Sequence, residues 1–308
     1  MATGRAGRPV LFGIQTPQEG ATYEDLKNHW IEADRLGYDA IFLDDHMFPV
    51  MVPPNSDQLD PFGILPALAA ATERIRVGIL VTDNDYRHPA LHARMIHAVD
   101  VITGGRAIFG VGAGWFSSEY DAYGIPFDPP KTRTARLREG IEIYKAISTE
   151  DVFSFEGEHY TIRSLRSAPK PIQKPWPPIL IGASGEKFGL RTVAEHAQIW
   201  NFGGPPEEFK AKLSVLERHC EDIGRDPDEI EATWFGQLVV DQDPERVAKR
   251  MAGRGEALST IFGTPDEVSE KISEYVDAGV TSFYAMFGRV SNLSATRLFA
   301  ETVMPNFS

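Results

Sequence analysis

Short apolar runs rich in β-branched and aromatic residues recur along this chain, and amphipathic stretches of helical length separate them. The runs are VLFGIQT (10–16), AIFLDDH (40–46), IRVGILVT (75–82), RAIFGVGAG (106–114), PILIGA (178–183), IWNF (199–202), IEATWFGQLVV (230–240) and SFYAMFG (282–288). Apolar strands alternating with helices predict a parallel sheet, because each crossover helix packs back over the strands it joins. Eight such repeats in 308 residues predict an α/β fold of the closed (β/α)8 (TIM) barrel type rather than an open doubly wound sheet. A barrel of this kind builds its site from the loops at the C-terminal ends of its strands.

The intervening segments carry helix punctuation. YEDLKNHWIEADRLG has apolar residues at helical spacing and closes on Gly37, and PALHARMIHAVDVITGG starts with Pro89 at the first helical position and stops on a glycine pair. TPDEVSEKISEYVDAG has Thr264 as its cap and Gly279 as its stop. The chain reads as one domain over 1–308 with insertions at the C-terminal ends of the strands. The insertion 115–178 holds a helix from about Arg133 to Ile147 and then VFSFEGEHYTI, whose alternation predicts a small hairpin turning near Gly157. MFPVMVPPNSDQLDPFG, after the second run, is too rich in proline to be helical.

A formal net charge of −13 repels polyphosphate backbones, which argues against nucleic acid as a partner and for a small-molecule substrate. The single cysteine, Cys220, excludes an intramolecular disulfide and suits a reducing compartment. After the basic start MATGRAGRP the run VLFGI is too short for a signal sequence, and no later segment has the apolar length of a membrane span. The expected location is cytoplasmic, with no membrane partner.

One strand carries an unusual ending. RAIFGVGAGWFSSE runs into Gly110, Gly112 and Gly114, then an aromatic pair and a carboxylate. Without a Cβ the backbone admits a close neighbour, so this end reads as a shelf for a flat or phosphorylated cofactor, although the spacing is not the dinucleotide fingerprint. In a barrel the polar residues at the strand ends share one bowl: Gln15 and Thr16, Asp44 to His46, Thr82 to Asp85, Gly112 to Glu119, Gly182 to Lys187, Asn201, and Phe287 to Arg289.

His46 is the candidate for a chemical role, or it orients its loop through a hydrogen bond. Asp44 and Asp45 are adjacent, and alternation along a strand allows at most one of them to share the bowl with His46. A metal site is disfavoured: His88 precedes Pro89 and leaves the helix before His92, and the first strand has no HxH. In ILIGASGEK, exposed amides of Gly182, Ala183, Ser184 and Gly185 with the Ser184 hydroxyl suit a phosphate at a helix start, or form a plain tight turn. Trp115, Phe116, Phe48, Tyr86 and Trp200 are candidates to wall the pocket.

DDHMFP, RIRVGILVTDNDYRHPALHARMIHAVDVITGGRAIFGVGAGWFSSEYDAYGIPF, PPILIGASGEK and the late GTPDEV, in that order, resemble the bacterial luciferase-like superfamily over nearly the whole chain, and within it the deazaflavin-dependent oxidoreductases. The resemblance implies a TIM barrel, often dimeric, holding coenzyme F420 or FMN in its bowl. It implies a bulge after strand three, often with a non-proline cis peptide, so that Val81, Thr82 and Asp83 back the central ring. Gly112, Ala113 and Ser118 would serve ring and tail, and Gly182, Ala183 and Gly185 the phosphate. Asp45, Gly114 and Ser184 are counted with that cofactor-binding set, and His46 would stand beside the hydride-transfer carbon. The implied activity is hydride transfer between F420 and a small organic substrate. The alternatives are an FMN-dependent monooxygenase and a non-catalytic cofactor- or ligand-binding barrel. Sugar-phosphate dehydrogenases of the family place a glutamate directly after the last shelf glycine, where this chain has Trp115, so their substrate is not carried over.

Overall fold

A computed structural model describes residue 7 and residues 9–252 and 259–307 of the chain. Most of the basic start MATGRAGRP lies outside the described residues. Eight parallel strands close on themselves: β1 (Leu11–Gln15), β2 (Ala40–Leu43), β3 (Arg76–Ile79), β4 (Ala107–Gly112), β5 (Ile179–Gly182), β6 (Ile199–Phe202), β7 (Glu231–Val240) and β8 (Ser282–Met286). β8 pairs with β1 from Leu11 opposite Ser282, which completes the ring. All eight strands fall within the apolar runs, and the fold is the (β/α)8 barrel.

The alternation of β2 shows how the layers separate. Ile41 and Leu43 join the large core between strands and helices, while Ala40 and Phe42 point into a smaller core inside the ring with Leu80, Ile108, Leu180 and Tyr284. Inside, the Phe42 and Tyr284 rings pack with centroids 4.8 Å apart. A strand buried on both faces has to be apolar throughout, which is why these runs show little polar alternation.

The helix signals act as local chemistry predicts. Thr22 and Asp25 form a capping box before the helix Tyr23–Leu36, and Gly37 closes it in the left-handed conformation at φ 92°. Pro89 opens the helix Pro89–Ile102 after a His88 cap, and Thr264 with Glu267 caps Pro265–Asp277. Between β4 and β5 the chain forms the helices Ser117–Tyr123 and Pro130–Thr149 and an antiparallel hairpin of Phe153–Glu156 with Thr161–Leu165. Two elements depart from the sequence-based expectation. The segment DPFG is not all loop, because Asp60 caps a helix, Pro61–Ala70, that begins with its proline. Thr260–Gly263 forms a short parallel strand on the C-terminal half of β7, outside the ring. Among the described residues no helix is long and apolar enough to cross a membrane.

The barrel is intolerant of volume where β3 meets β4. A Cβ on Gly110 would overlap the Ile79 carbonyl, which is strand backbone and cannot swing away. Gly110→Ala should therefore cost about 2–3 kcal/mol or more by overpacking. Gly37→Ala, with open space around it, should cost only the left-handed penalty of about 1–2 kcal/mol. Urea denaturation of both variants measures the difference, and equal losses would contradict the steric argument.

Candidate active site

The barrel mouth is organised by the chain segments just beyond β2 and β3. β3 stops at Ile79, the Leu80–Val81 peptide is cis, and the chain rejoins β4 at Thr82 and Asp83, opposite Val111 and Gly112. The Gln15 amide donates to the Leu80 carbonyl at 2.5 Å from inside the ring. From the neighbouring loop, Asp45 Oδ2 accepts from the Asp83 amide at 3.0 Å and from Arg87 Nη1 at 2.7 Å. Asp83 in turn accepts from the Tyr120 hydroxyl at 2.6 Å and from the Asp85 amide at 2.9 Å. Burial pushes the Asp45 carboxyl up to about 7 against the pull of Arg87, and the Asp83 carboxyl up to about 6 against the Tyr120 hydrogen bond.

This arrangement revises the meaning of the glycine shelf. A Cβ on Gly110 would strike Ile79, one on Gly112 would press on Val81 at 3.0 Å, and one on Gly114 would collide with the Tyr120 hydroxyl and the Asp83 carboxylate. Gly114 also has φ 74°. The alternating glycines thus admit the bulge of the adjacent strand; the surface that a ligand would meet is the bulge itself.

Asp44 and Asp45 correct a second expectation. β2 ends at Leu43, so strand alternation no longer governs them. Both are buried and both line the cavity together with His46. Asp44 Oδ1 accepts from the His46 amide at 3.3 Å and from Gln58 Nε2 at 3.1 Å, and burial pushes its carboxyl up to about 7.

His46 is held by a residue that the sequence places at the strand ends without marking it out. Glu119, only 1% exposed, sits in the first turns of Ser117–Tyr123 and lies 3.2 Å from His46 Nδ1. The same carboxylate accepts from the Met47 amide at 2.6 Å and from the Tyr86 hydroxyl at 2.6 Å. Burial opposes a charged His46, but the hydrogen bond to Glu119 and the nearby Asp44 and Glu119 charges outweigh it and raise its pKa. For Glu119, burial is likewise outweighed by the His46 and Tyr86 hydrogen bonds, and its pKa falls. Both shifts favour an imidazolium–carboxylate pair. Among the described residues His46 Nε2 has no hydrogen-bond partner.

These residues line a cavity of about 1080 Å³ at the C-terminal end of the barrel. It brings together His46, Asp45, Val81, Thr82, Asp83, Gly112, Ala113, Gly114, Gly182, Ala183, Ser184 and Gly185. Ser118 is not among them: it is exposed on the helix, one position from the buried Glu119. Trp115, Phe116 and Tyr86 do wall the cavity, whereas Phe48 packs on Phe116 and Trp200 lies in the core, its indole donating to the Ala183 carbonyl at 2.9 Å. Of the last strand end, Met286 lines the cavity and Phe287 to Arg289 do not. The Ala183 amide is already used by the Asn201 carbonyl at 3.2 Å, and the helix proper begins only at Gly189, so Ser184 and Gly185 sit on an exposed loop before it. Among the described residues no group of three or more His, Cys, Asp or Glu is placed to hold a metal. His92 packs against Phe62 and Phe109, and burial pushes its pKa down to about 3.

The family model for luciferase-like monooxygenases matches residues 9–260. The chain belongs to that family. It is 32% identical over 255 residues to an FMNH2-dependent dimethylsulfone monooxygenase of Pseudomonas putida, covering 70% of this chain and 69% of the relative. It is 27% identical over 331 residues to an F420-dependent glucose-6-phosphate dehydrogenase of Microbacterium testaceum, covering 96% of this chain and 97% of the relative. Among solved structures it is similar to the coenzyme F420-dependent tetrahydromethanopterin reductase of Methanopyrus kandleri, with a TM-score of 0.83 at 22% identity over 97% of this chain and all of that one, a likeness of fold.

For this luciferase-like protein, the role of Glu119 was hidden by its position. It lies five residues beyond the shelf, and a helical turn with no signal of its own returns it to His46. Because the His46 pKa is raised in the native state, its contribution to stability is complete below about pH 6.5, the ordinary histidine value, and is lost as the pH rises through the native value. Glu119→Gln should lower the His46 titration midpoint and flatten this loss. Histidine NMR titration and urea denaturation across about pH 5–9 measure both.

Proposed function

We propose that this protein is an oxidoreductase that transfers a hydride between coenzyme F420 and a small organic substrate. The residues at the mouth fit a flavin-type group. Asp45 Oδ1 and Thr82 Oγ1 are buried on residues that line the cavity and have no hydrogen-bond partner among the described residues, which is costly unless a ligand completes them. Val81 and Thr82 would back its ring, while Ser184, Gly185 and Lys187 would hold its phosphate.

The observation that carries the choice between cofactors is the openness of the mouth. Oxygen activation needs a pocket that excludes water, yet Trp115 and Met51 at this mouth are 66% and 48% exposed. Hydride transfer tolerates such an opening. When bound, a reduced deazaflavin supplies the hydride. The chain would supply orientation and the proton: Glu119 holds His46 through Nδ1, and the His46 Nε2–H would donate to the acceptor atom. The F420-dependent relative, aligned over 96% of this chain, supports this reading. The FMN-dependent monooxygenase is the second reading, supported by the dimethylsulfone monooxygenase likeness. A homodimer belongs to the same proposal; the helix Pro89–Ile102 turns Leu91, Met95 and Ile102 to solvent, and light scattering at twice 34.2 kDa would support it.

Spectral titration with purified F420 should show saturable binding. His46→Asn should retain that binding while turnover falls by about 10²–10⁴, the usual worth of a placed acid. Failure to bind F420, with FMN retained through purification instead, would overturn the proposal in favour of the second reading.

A further inference from the structure

The ionisable groups of the cavity are unevenly divided. Glu19, Asp44, Asp45, Asp83 and Glu119 gather around the ends of β1 to β4, whereas the lysine and arginine side chains among the described lining residues are Lys187 and Arg133. Lys187 belongs to the exposed loop after β5, next to Phe188. Arg133 is spent: it donates to the carbonyls of Ala113, Gly114 and Asp128, and its guanidinium stacks on Phe127 at 4.1 Å. His46, the remaining cationic group on the acidic side, is neutralised by Glu119. A phosphate or carboxylate on the substrate would meet the Glu19 and Glu119 carboxylates there, three buried acids whose pKa values burial has raised, and no unpaired cation among the described residues, which is unfavourable at this range.

The immediate surroundings of His46 are aromatic instead. Trp115 and Phe116 both present T-shaped contacts to the imidazole, with centroids at 5.7 and 5.8 Å, and Phe48 buttresses Phe116. Val50 and Met51 continue this apolar wall, and Glu19 fixes their loop by accepting both of their amides at 2.7 and 2.8 Å. Trp115 is the most exposed large apolar side chain among the described residues, at 66%, and it lies on the cavity rather than on a packed surface. Exposed aromatic area at a pocket with one placed donor is the pattern of a site that binds an apolar body and orients it through a single polar atom.

We propose that the substrate subsite is the wall formed by Trp115, Phe116, Val50 and Met51, and that it takes an uncharged, predominantly apolar molecule whose one hydrogen-bond acceptor meets His46 Nε2. This rests on the reading of the bowl as a cofactor site, which leaves the aromatic wall to the second ligand. Trp115 is then a specificity-determining residue, and the two carboxylates Glu19 and Glu119 set the position of the loop that completes the wall.

The test uses the full-length protein, with and without F420, and two probes: acetophenone as a neutral aromatic ketone and glucose 6-phosphate as a polar anion. Saturation-transfer NMR and calorimetric titration should show saturable acetophenone binding, at least tenfold weaker in Trp115→Ala, and no saturable glucose 6-phosphate binding once F420 fills the phosphate loop. Trp115 is exposed, so this variant is expected to fold, and circular dichroism with an unchanged F420 titration verifies it. Saturable glucose 6-phosphate binding to the F420-loaded protein, acetophenone binding indifferent to Trp115→Ala, or no acetophenone binding in protein that does bind F420 would each overturn the subsite while leaving the hydride-transfer reading in place. Protein that fails to bind F420 but binds acetophenone through Trp115 would support the subsite and overturn that reading alone.

Discussion

The Asp45 carboxylate, bridging the Asp83 amide and the Arg87 guanidinium, is the contact on which the rest of the mouth depends. It ties the loop after β2 to the bulge after β3, and the bulge in turn requires glycines on β4 because Ile79, Val81 and Asp83 occupy the space where side chains would stand. Three adjacent strand ends are thereby locked as one unit. The cost is the burial of several carboxylates close together, and it is met by specific donors: Arg87, the Tyr120 hydroxyl and backbone amides. One oxygen of Asp45 and the hydroxyl of Thr82 are left over, both at the cavity wall. Unsatisfied buried polar atoms that persist beside a cavity are most simply explained by a ligand that satisfies them.

The second organising contact, His46 with Glu119, joins the loop after β2 to the helix Ser117–Tyr123 that follows β4. It does two things at once. The carboxylate fixes the backbone of the same loop through Met47, and it raises the pKa of the imidazole against the effect of burial. A general acid must hold its proton in the ground state, and the Glu119 contact favours the protonated imidazole. The aromatic pair Trp115 and Phe116 lies between the shelf and this helix, so the segment that ends the cofactor wall also begins the wall that a substrate would meet.

Much of the fold was legible because its signals are local or periodic. Eight apolar runs became eight barrel strands, and Thr22, Pro89, Thr264, Gly37 and Gly279 stand at the ends of helices. The strand Thr260–Gly263 was not legible, because four residues without alternation carry no signal apart from their partner β7. The site was legible in part. His46, Asp45, Gly112, Gly114, Gly182 and Gly185 do share one cavity, but the reason for the β4 glycines and the pairing of His46 with Glu119 depend on neighbours far away in sequence.

The sequence by itself determined the barrel, the end of it that carries the site and the group of residues gathered there, since strand and helix periodicity and the punctuation by glycine and proline act through nearest neighbours. Only the tertiary structure decided which carboxylate charges His46, which atoms the shelf glycines make room for and which aromatic side chain is left open to a second ligand. Those outcomes are set by contacts such as Glu119 with His46, 73 residues apart, and Asp45 with Asp83, 38 residues apart, whose geometry exists only once the ring of strands has closed.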